Sequence, residues 1–176
     1  MLEFDAITSC KRINVTPKNI PNQDRLIFAL DVADTRTARQ LVEELGDSVS
    51  FYKLGLELCM SGGYFELLDW MVGQGKKIFV DLKFFDVPAT VAAAVGNLRN
   101  RGVTYATVHG NQSIMEAAGA AKGDVQILAV TALTSLDRGD LDDLGFKFQG
   151  FMLKVAGLSQ VFEFRFLCCK LFSSNF

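Results

Sequence analysis

Apolar runs and polar stops alternate along this chain at a regular pitch. Leu26-Ile27-Phe28-Ala29-Leu30 is a continuous apolar run ending in Asp31, which predicts a strand buried on both faces. Thr35 then reads as the cap of a helix through Leu45, with Ala38, Leu41, Val42 and Leu45 at helical spacing and Gly46 just beyond. The unit recurs. Phe51–Leu54 predicts a second strand, with a helix over Tyr64–Val72 stopped by Gly73 and Gly75. Lys77–Val80 predicts a third strand, and Pro88 suits the first turn of a helix running over Ala89–Arg99. Tyr105–Val108 is the fourth strand, with a helix over Ser113–Ala121, and Val125–Val130 is the fifth. Beyond it, Ser135–Gly145 reads as a polar loop with a short helix, and Phe151–Leu158 has helical character.

Strands alternating with helices imply parallel βαβ units with right-handed crossovers. Polar residues close each strand: Asp31, Lys53, Asp81, His109 and Thr131, spaced 22 to 28 positions apart. That pitch suits an α/β chain of the (β/α)8 TIM-barrel type, whose active sites sit at the C-terminal ends of the strands. A doubly wound open sheet is the rival, though Asp31-Val32-Ala33-Asp34 is not the Gly-rich turn expected after its first strand. A barrel needs eight units and about 250 residues. This chain has 176 residues and five recognisable units, so an incomplete barrel is expected.

Three segments follow from this reading: an arm over 1–24, a partial barrel over 25–160, and an atypical tail over 161–176. Residues 146–176 hold eight of the 15 phenylalanines and a single acid, Glu163. The tail reads in one of two ways. It is an edge strand with alternating Phe162, Phe164 and Phe166, or the encoded frame departs near Gln160 through a frameshift or misread intron.

Composition narrows the partners. A net charge of −2 offers no electrostatic footprint for nucleic acid or an anionic membrane surface. No apolar run reaches the length of a membrane span. The first 24 residues lack the basic start and apolar core of a secretory signal, and Glu3 and Asp5 argue against a transit peptide, so a cytoplasmic location is expected. Cys10, Cys59, Cys168 and Cys169 form neither a zinc spacing nor a disulfide framework and are expected as reduced thiols. Asn14-Val15-Thr16 and Asn111-Gln112-Ser113 match the glycosylation pattern by chance on this reading.

The densest chemistry lies in Ile78–Thr90, where an apolar strand runs into Asp81, Lys83 and Asp86. Alternation in an extended strand points Asp81 and Lys83 the same way, and Asp86 follows just past the strand. As structure alone this is an ion pair at a sheet edge. As a site, Lys53–Asp81–Lys83–Asp86 alternate in sign, which two lysines sharing one rim require. Flanking carboxylates would hold Lys83 as an ammonium, the form a proton donor needs.

Asp81-Leu82-Lys83-Phe84-Phe85-Asp86-Val87-Pro88-Ala89-Thr90 resembles the Asp-x-Lys-x-x-Asp-(Ile/Val)-Pro-x-Thr signature of the orotidine 5′-phosphate decarboxylases. Ala29-Leu30-Asp31, Tyr52-Lys53-Leu54-Gly55, Thr107-Val108-His109 and Ala129-Val130-Thr131-Ala132-Leu133-Thr134-Ser135 resemble that family's other strand ends, in order. The resemblance covers about residues 25–160 and implies decarboxylation of orotidine 5′-monophosphate to UMP in pyrimidine biosynthesis, with no metal or organic cofactor, in a homodimer. It implies Lys83 as proton donor to C6 of the pyrimidine, flanked by Asp81 and Asp86. Asp31 and Lys53 would contact the ribose hydroxyls, and Asp86 and Thr90 would reach across the dimer interface. Thr134 would contact the pyrimidine ring. His109 would line the ribose pocket, or else be a strand-end histidine bonded to backbone. Gly110-Asn111-Gln112 departs from the small residues the family often places after this histidine. No residue matches the family's late phosphate-gripping motifs, and Arg165 in the tail has no claim to that role. Two other readings stand beside it: a magnesium-dependent sugar-phosphate decarboxylase of the same superfamily, and an inactive or partner-binding fragment.

Overall fold

The computed structural model describes residues 20–143 and 169–171. Six strands form one sheet in the order β1 to β6: β1 (Phe28–Ala29), β2 (Phe51–Gly55), β3 (Lys77–Phe84), β4 (Val103–His109), β5 (Gln126–Val130) and β6 (Cys169–Leu171). The first five pair in parallel, each with its sequence neighbour, whereas β6 runs antiparallel to β5. Sequential order in a parallel sheet is the winding of a barrel wall; a doubly wound sheet reverses direction at its middle. Between the strands lie α1 (Thr35–Leu45), α2 (Leu56–Met60), α3 (Tyr64–Gly73), α4 (Pro88–Gly96) and α5 (Gln112–Ala121), with α6 (Arg138–Asp143) after β5. Among these helices none is long and apolar enough to cross a membrane.

The two faces of the sheet differ in burial. Tyr52, Leu54, Ile78, Val80, Ala106, Val108, Ile127 and Ala129 alternate along β2–β5 and are sealed beneath Leu67, Leu68, Met71, Val91, Val95 and Ile114 of the helices. The opposite face carries Phe51 stacked on Tyr105 and Phe79 set edge-on to the same ring. Phe79, Tyr105 and Leu128 on that face are only half-buried. This is the lumen face of an incomplete barrel.

Three expectations need correcting. The first apolar run is not a strand buried on both faces. Only Phe28–Ala29 pair, and Leu26 and Ile27 are 55% and 40% exposed, because β1 is the outer edge of the sheet. The cap of α1 is Asp34 rather than Thr35. Asp34 is extended and its carboxylate accepts the Thr37 backbone N–H at 2.8 Å, while Thr35 is already helical. The third strand runs on through Phe84 and so carries Asp81 and Lys83 within it. Helix α2 had no expectation. The predicted arm over 1–24 is described only at its end, where Asn22–Asp24 make a 3-10 turn and Asp24 pairs with Lys77. The alternating phenylalanines 162–166, the frame change read near Gln160 and the helical character expected over 151–158 lie outside the described residues.

Candidate active site

The site is built on the C-terminal rim of β1–β4. Asp81 is its centre and its most enclosed charge, with a side chain 13% exposed. Lys83 Nζ lies 2.9 and 3.0 Å from the two Asp81 oxygens. Lys53 Nζ lies 3.6 Å from Asp81 and 3.2 Å from Asp31. The order Asp31–Lys53–Asp81–Lys83 thus alternates in sign and is neutral as a unit. Two like-charged lysines can share the rim because one carboxylate stands between them. An ammonium has three N–H groups. Both Asp81 oxygens lie on one side of the Lys83 ammonium, whose side chain is 41% exposed, so it keeps N–H groups facing the open rim.

Simple strand alternation does not bring Asp81 and Lys83 together. Val80 is opposite Ala106 and Phe84 is opposite Val108, so β3 spends four positions where β4 spends two. The two extra residues make a bulge over 81–83 that aims side chains at the rim. Within it Lys83 adopts φ +48°, a left-handed conformation that costs a non-glycine residue about 1–2 kcal/mol. A lysine kept where glycine would be easier points to a side chain retained for its chemistry.

Two residues without an expected role complete the centre. Thr107 on β4 is 2% exposed, and its hydroxyl lies 2.9 Å both from Asp81 Oδ1 and from the Lys83 backbone N. Gly55 stands opposite Asp81 in register, and a Cβ there would meet Asp31 Oδ1 at 3.3 Å. Its missing side chain leaves room for the Asp31–Lys53 pair. Beneath them, burial, reinforced by Cys59 and Asp81, pushes the Tyr64 phenol well above its ordinary range. The neutral phenol donates to the Leu54 carbonyl at 3.3 Å. Burial likewise raises the Cys59 thiol.

The remaining expected residues surround this centre without joining it. Asp86 is exposed and accepts the Val87 N–H at 2.6 Å, so the alternating array ends at Lys83. Asp86, just before α4, and Thr90, in its first turn, line a pocket of about 420 Å³ together with Lys83, Phe85, Leu56 and Val91. His109 bonds through Nδ1 to the Asn111 side chain at 2.6 Å, rather than to backbone, and its ring stacks on Phe85 with centroids 4.2 Å apart. Gly110 allows this strand end to close on β5, since a Cβ would come within 2.9 Å of Thr131 Cα. Thr134 is exposed in the turn after β5. Among the described residues no three His, Cys, Asp or Glu side chains gather as a metal site.

Residues 24–149 match the family model described as orotidine 5′-phosphate decarboxylase / HUMPS family. The orotidine 5′-phosphate decarboxylase of Methylococcus capsulatus is 65% identical over 130 residues, covering 74% of this chain and 54% of that protein. That of Stenotrophomonas maltophilia is 51% identical over 131 residues, covering 73% and 54%. The crystal structure of the Lactobacillus acidophilus enzyme superposes with a TM-score of 0.63 at 31% identity, covering 70% of this chain and 60% of that one. The chain spans about half the length of the curated relatives it matches, 54% in both cases. It belongs to the orotidine 5′-phosphate decarboxylase / HUMPS family.

Proposed function

Starting from that membership, we propose that the chain decarboxylates orotidine 5′-monophosphate to UMP, a step of pyrimidine biosynthesis in the cytoplasm, with Lys83 as the proton donor. The observation that carries the proposal is the alternating Asp31–Lys53–Asp81–Lys83 array on the rim, with Lys83 lifted into it by a strained bulge. Loss of CO2 from C6 leaves an electron pair with no adjacent sink. A pre-placed ammonium stabilises that charge as it forms and then protonates the carbon. Asp81 holds Lys83 in place and sits where a departing carboxylate would feel a like charge. Asp31 and Lys53 are assigned to the ribose hydroxyls, His109 to the wall of that pocket and Thr134 to the pyrimidine.

We assign Asp86 and Thr90 to the neighbouring site of a homodimer. Both stand exposed on the pocket edge, beside the outward apolar side chains Leu56, Phe85 and Val87 at 60%, 67% and 62% exposure.

The test is incubation of purified protein with orotidine 5′-monophosphate, following UMP formation with and without a magnesium chelator. UMP formation indifferent to the chelator supports the proposal. Magnesium-dependent UMP formation contradicts the cofactor-free mechanism, and a folded protein that leaves the substrate intact fits the sugar-phosphate decarboxylase or the inactive-fragment reading instead.

A further inference from the structure

We propose that Thr107 is a positioning residue for the proton donor: it clamps the β3 bulge and so fixes the Asp81–Lys83 pair. The proposal rests on the function assigned above to Lys83, and it concerns a residue that touches no reacting atom.

A threonine hydroxyl has one hydrogen to give and two lone pairs to receive with. The Lys83 backbone N–H can only donate, so the bond of 2.9 Å to Thr107 Oγ1 occupies a lone pair of that oxygen. An ionised Asp81 can only accept, so the second bond of 2.9 Å takes the hydroxyl hydrogen. Both directions are settled by chemistry. The hydroxyl is a relay with no freedom to rotate away.

Its place in the sheet gives the relay its consequence. After a first shift between Ile78 and Phe79, the β3–β4 register holds over Phe79–Tyr105 and Val80–Ala106, is lost again, and resumes at Phe84–Val108. Thr107 is the β4 residue between the last two pairs, opposite the surplus residues of β3. There the Lys83 N–H has lost its ladder partner, and the Thr107 hydroxyl replaces it. The same oxygen fixes Asp81 Oδ1, whose carboxylate then presents both oxygens to Lys83 Nζ at 2.9 and 3.0 Å. One side chain thus holds the lysine at its backbone and, through Asp81, at its ammonium. Thr107 is 2% exposed, so water does not readily substitute for it.

The test compares the nearly isosteric Thr107→Val with Thr107→Ser, which keeps the hydroxyl. In wild type and both variants, kcat and KM for orotidine 5′-monophosphate are measured alongside exchange of the Lys83 amide hydrogen. Thr107→Val is expected to lower kcat roughly 10- to 100-fold with KM changed by less than about two-fold. Its Lys83 amide should exchange more than roughly tenfold faster, while Ala106 and Val108 stay protected. Thr107→Ser should restore both. The proposal is overturned if Thr107→Val turns over like wild type, if Thr107→Ser is equally impaired, or if Lys83 exchange is the same in all three. Should Thr107→Val fail to fold, Thr107→Ala takes its place in the comparison. If wild type leaves the substrate intact, the functional reading fails, and Lys83 amide exchange alone decides whether Thr107 clamps the bulge.

Discussion

β3 carries a lysine at each end, and each is paired with an aspartate. At the start of the strand, Lys77 contacts Asp24 at 2.5 Å from a regular backbone in register with Phe51. At its end, Lys83 contacts Asp81 from a bulge and a left-handed φ of +48°. The first pair ties the 3-10 turn before β1 to the sheet, close to Lys76, which bonds the Gly46 and Val49 carbonyls. The second pair joins no separate segments, since its partners lie two residues apart. An ion pair that links distant segments in relaxed geometry is scaffolding; one that keeps strain within a single strand serves something else. The contrast fits the barrel rule that the N-terminal ends of the strands serve stability and the C-terminal ends serve chemistry.

Substitutions that separate the two ends should break or sharpen this contrast. The largest effect is expected from Lys83→Ala. Turnover of orotidine 5′-monophosphate should fall by at least about 10³-fold, since in the proposed mechanism one group supplies both charge stabilisation and the proton. Its unfolding free energy should stay within about 0.5 kcal/mol of wild type in denaturant titration, because Asp81 retains Lys53 and Thr107 as partners. Asp81→Asn should come next, with kcat lowered by about 10²-fold as Lys83 and Lys53 lose the carboxylate between them.

Lys77→Met should give the reverse profile. Asp24 Oδ1 is already buried without a hydrogen-bond partner among the described residues, so losing Lys77 leaves a mostly buried carboxylate uncompensated. A loss of about 1–3 kcal/mol in stability is expected, with kcat per folded molecule unchanged. The smallest effect belongs to Asp34. Its bonds to the Thr37 N–H and hydroxyl hold its carboxyl below the usual 3.8. A depressed folded pKa gives stability that is present above 3.8 and disappears as pH falls through the folded value. Thr37 thus protects helix α1 only while Asp34 is ionised. Asp34→Ala should melt slightly earlier than wild type at neutral pH, and the two melting curves should converge in acid.

The alternation of strands and helices was legible because both periods leave plain marks. Ala38, Leu41, Val42 and Leu45 fall on one face of α1, and Gly46 turns the chain at its end with φ +48°. The rim charges Asp31 and Asp81 were legible because each ends an apolar run, whereas Lys53 lies within β2. The limits of β1 were not. An apolar run of five residues does not say whether a second strand lies beside it, and here one side is an edge. The choice between Asp34 and Thr35 as cap was open because both residue types serve, and only the backbone angles separate them.

The bulge left no mark at all. A left-handed residue is usually announced by glycine or asparagine, and Lys83 is neither. Thr107 was hidden by the opposite problem: threonine in a strand needs no explanation beyond β propensity, so its hydroxyl drew no attention. The pairing of Asp81 with Lys83 was therefore anticipated from alternation, while the geometry that achieves it is a register shift. Asp86 was expected to close the array because it follows in sequence. It turns instead to the N–H of Val87.

The central claim is that Lys83 is the proton donor while Lys77, at the other end of the same strand and alike in charge and partner, is not. The most direct measurement is UMP formation from orotidine 5′-monophosphate by wild type, Lys83→Ala and Lys77→Met, each corrected for its folded fraction. The predicted result is turnover by wild type and Lys77→Met at the same rate, and none detectable from Lys83→Ala. Continued decarboxylation by Lys83→Ala would contradict the account, as would a wild-type protein that unfolds cooperatively yet leaves the substrate untouched.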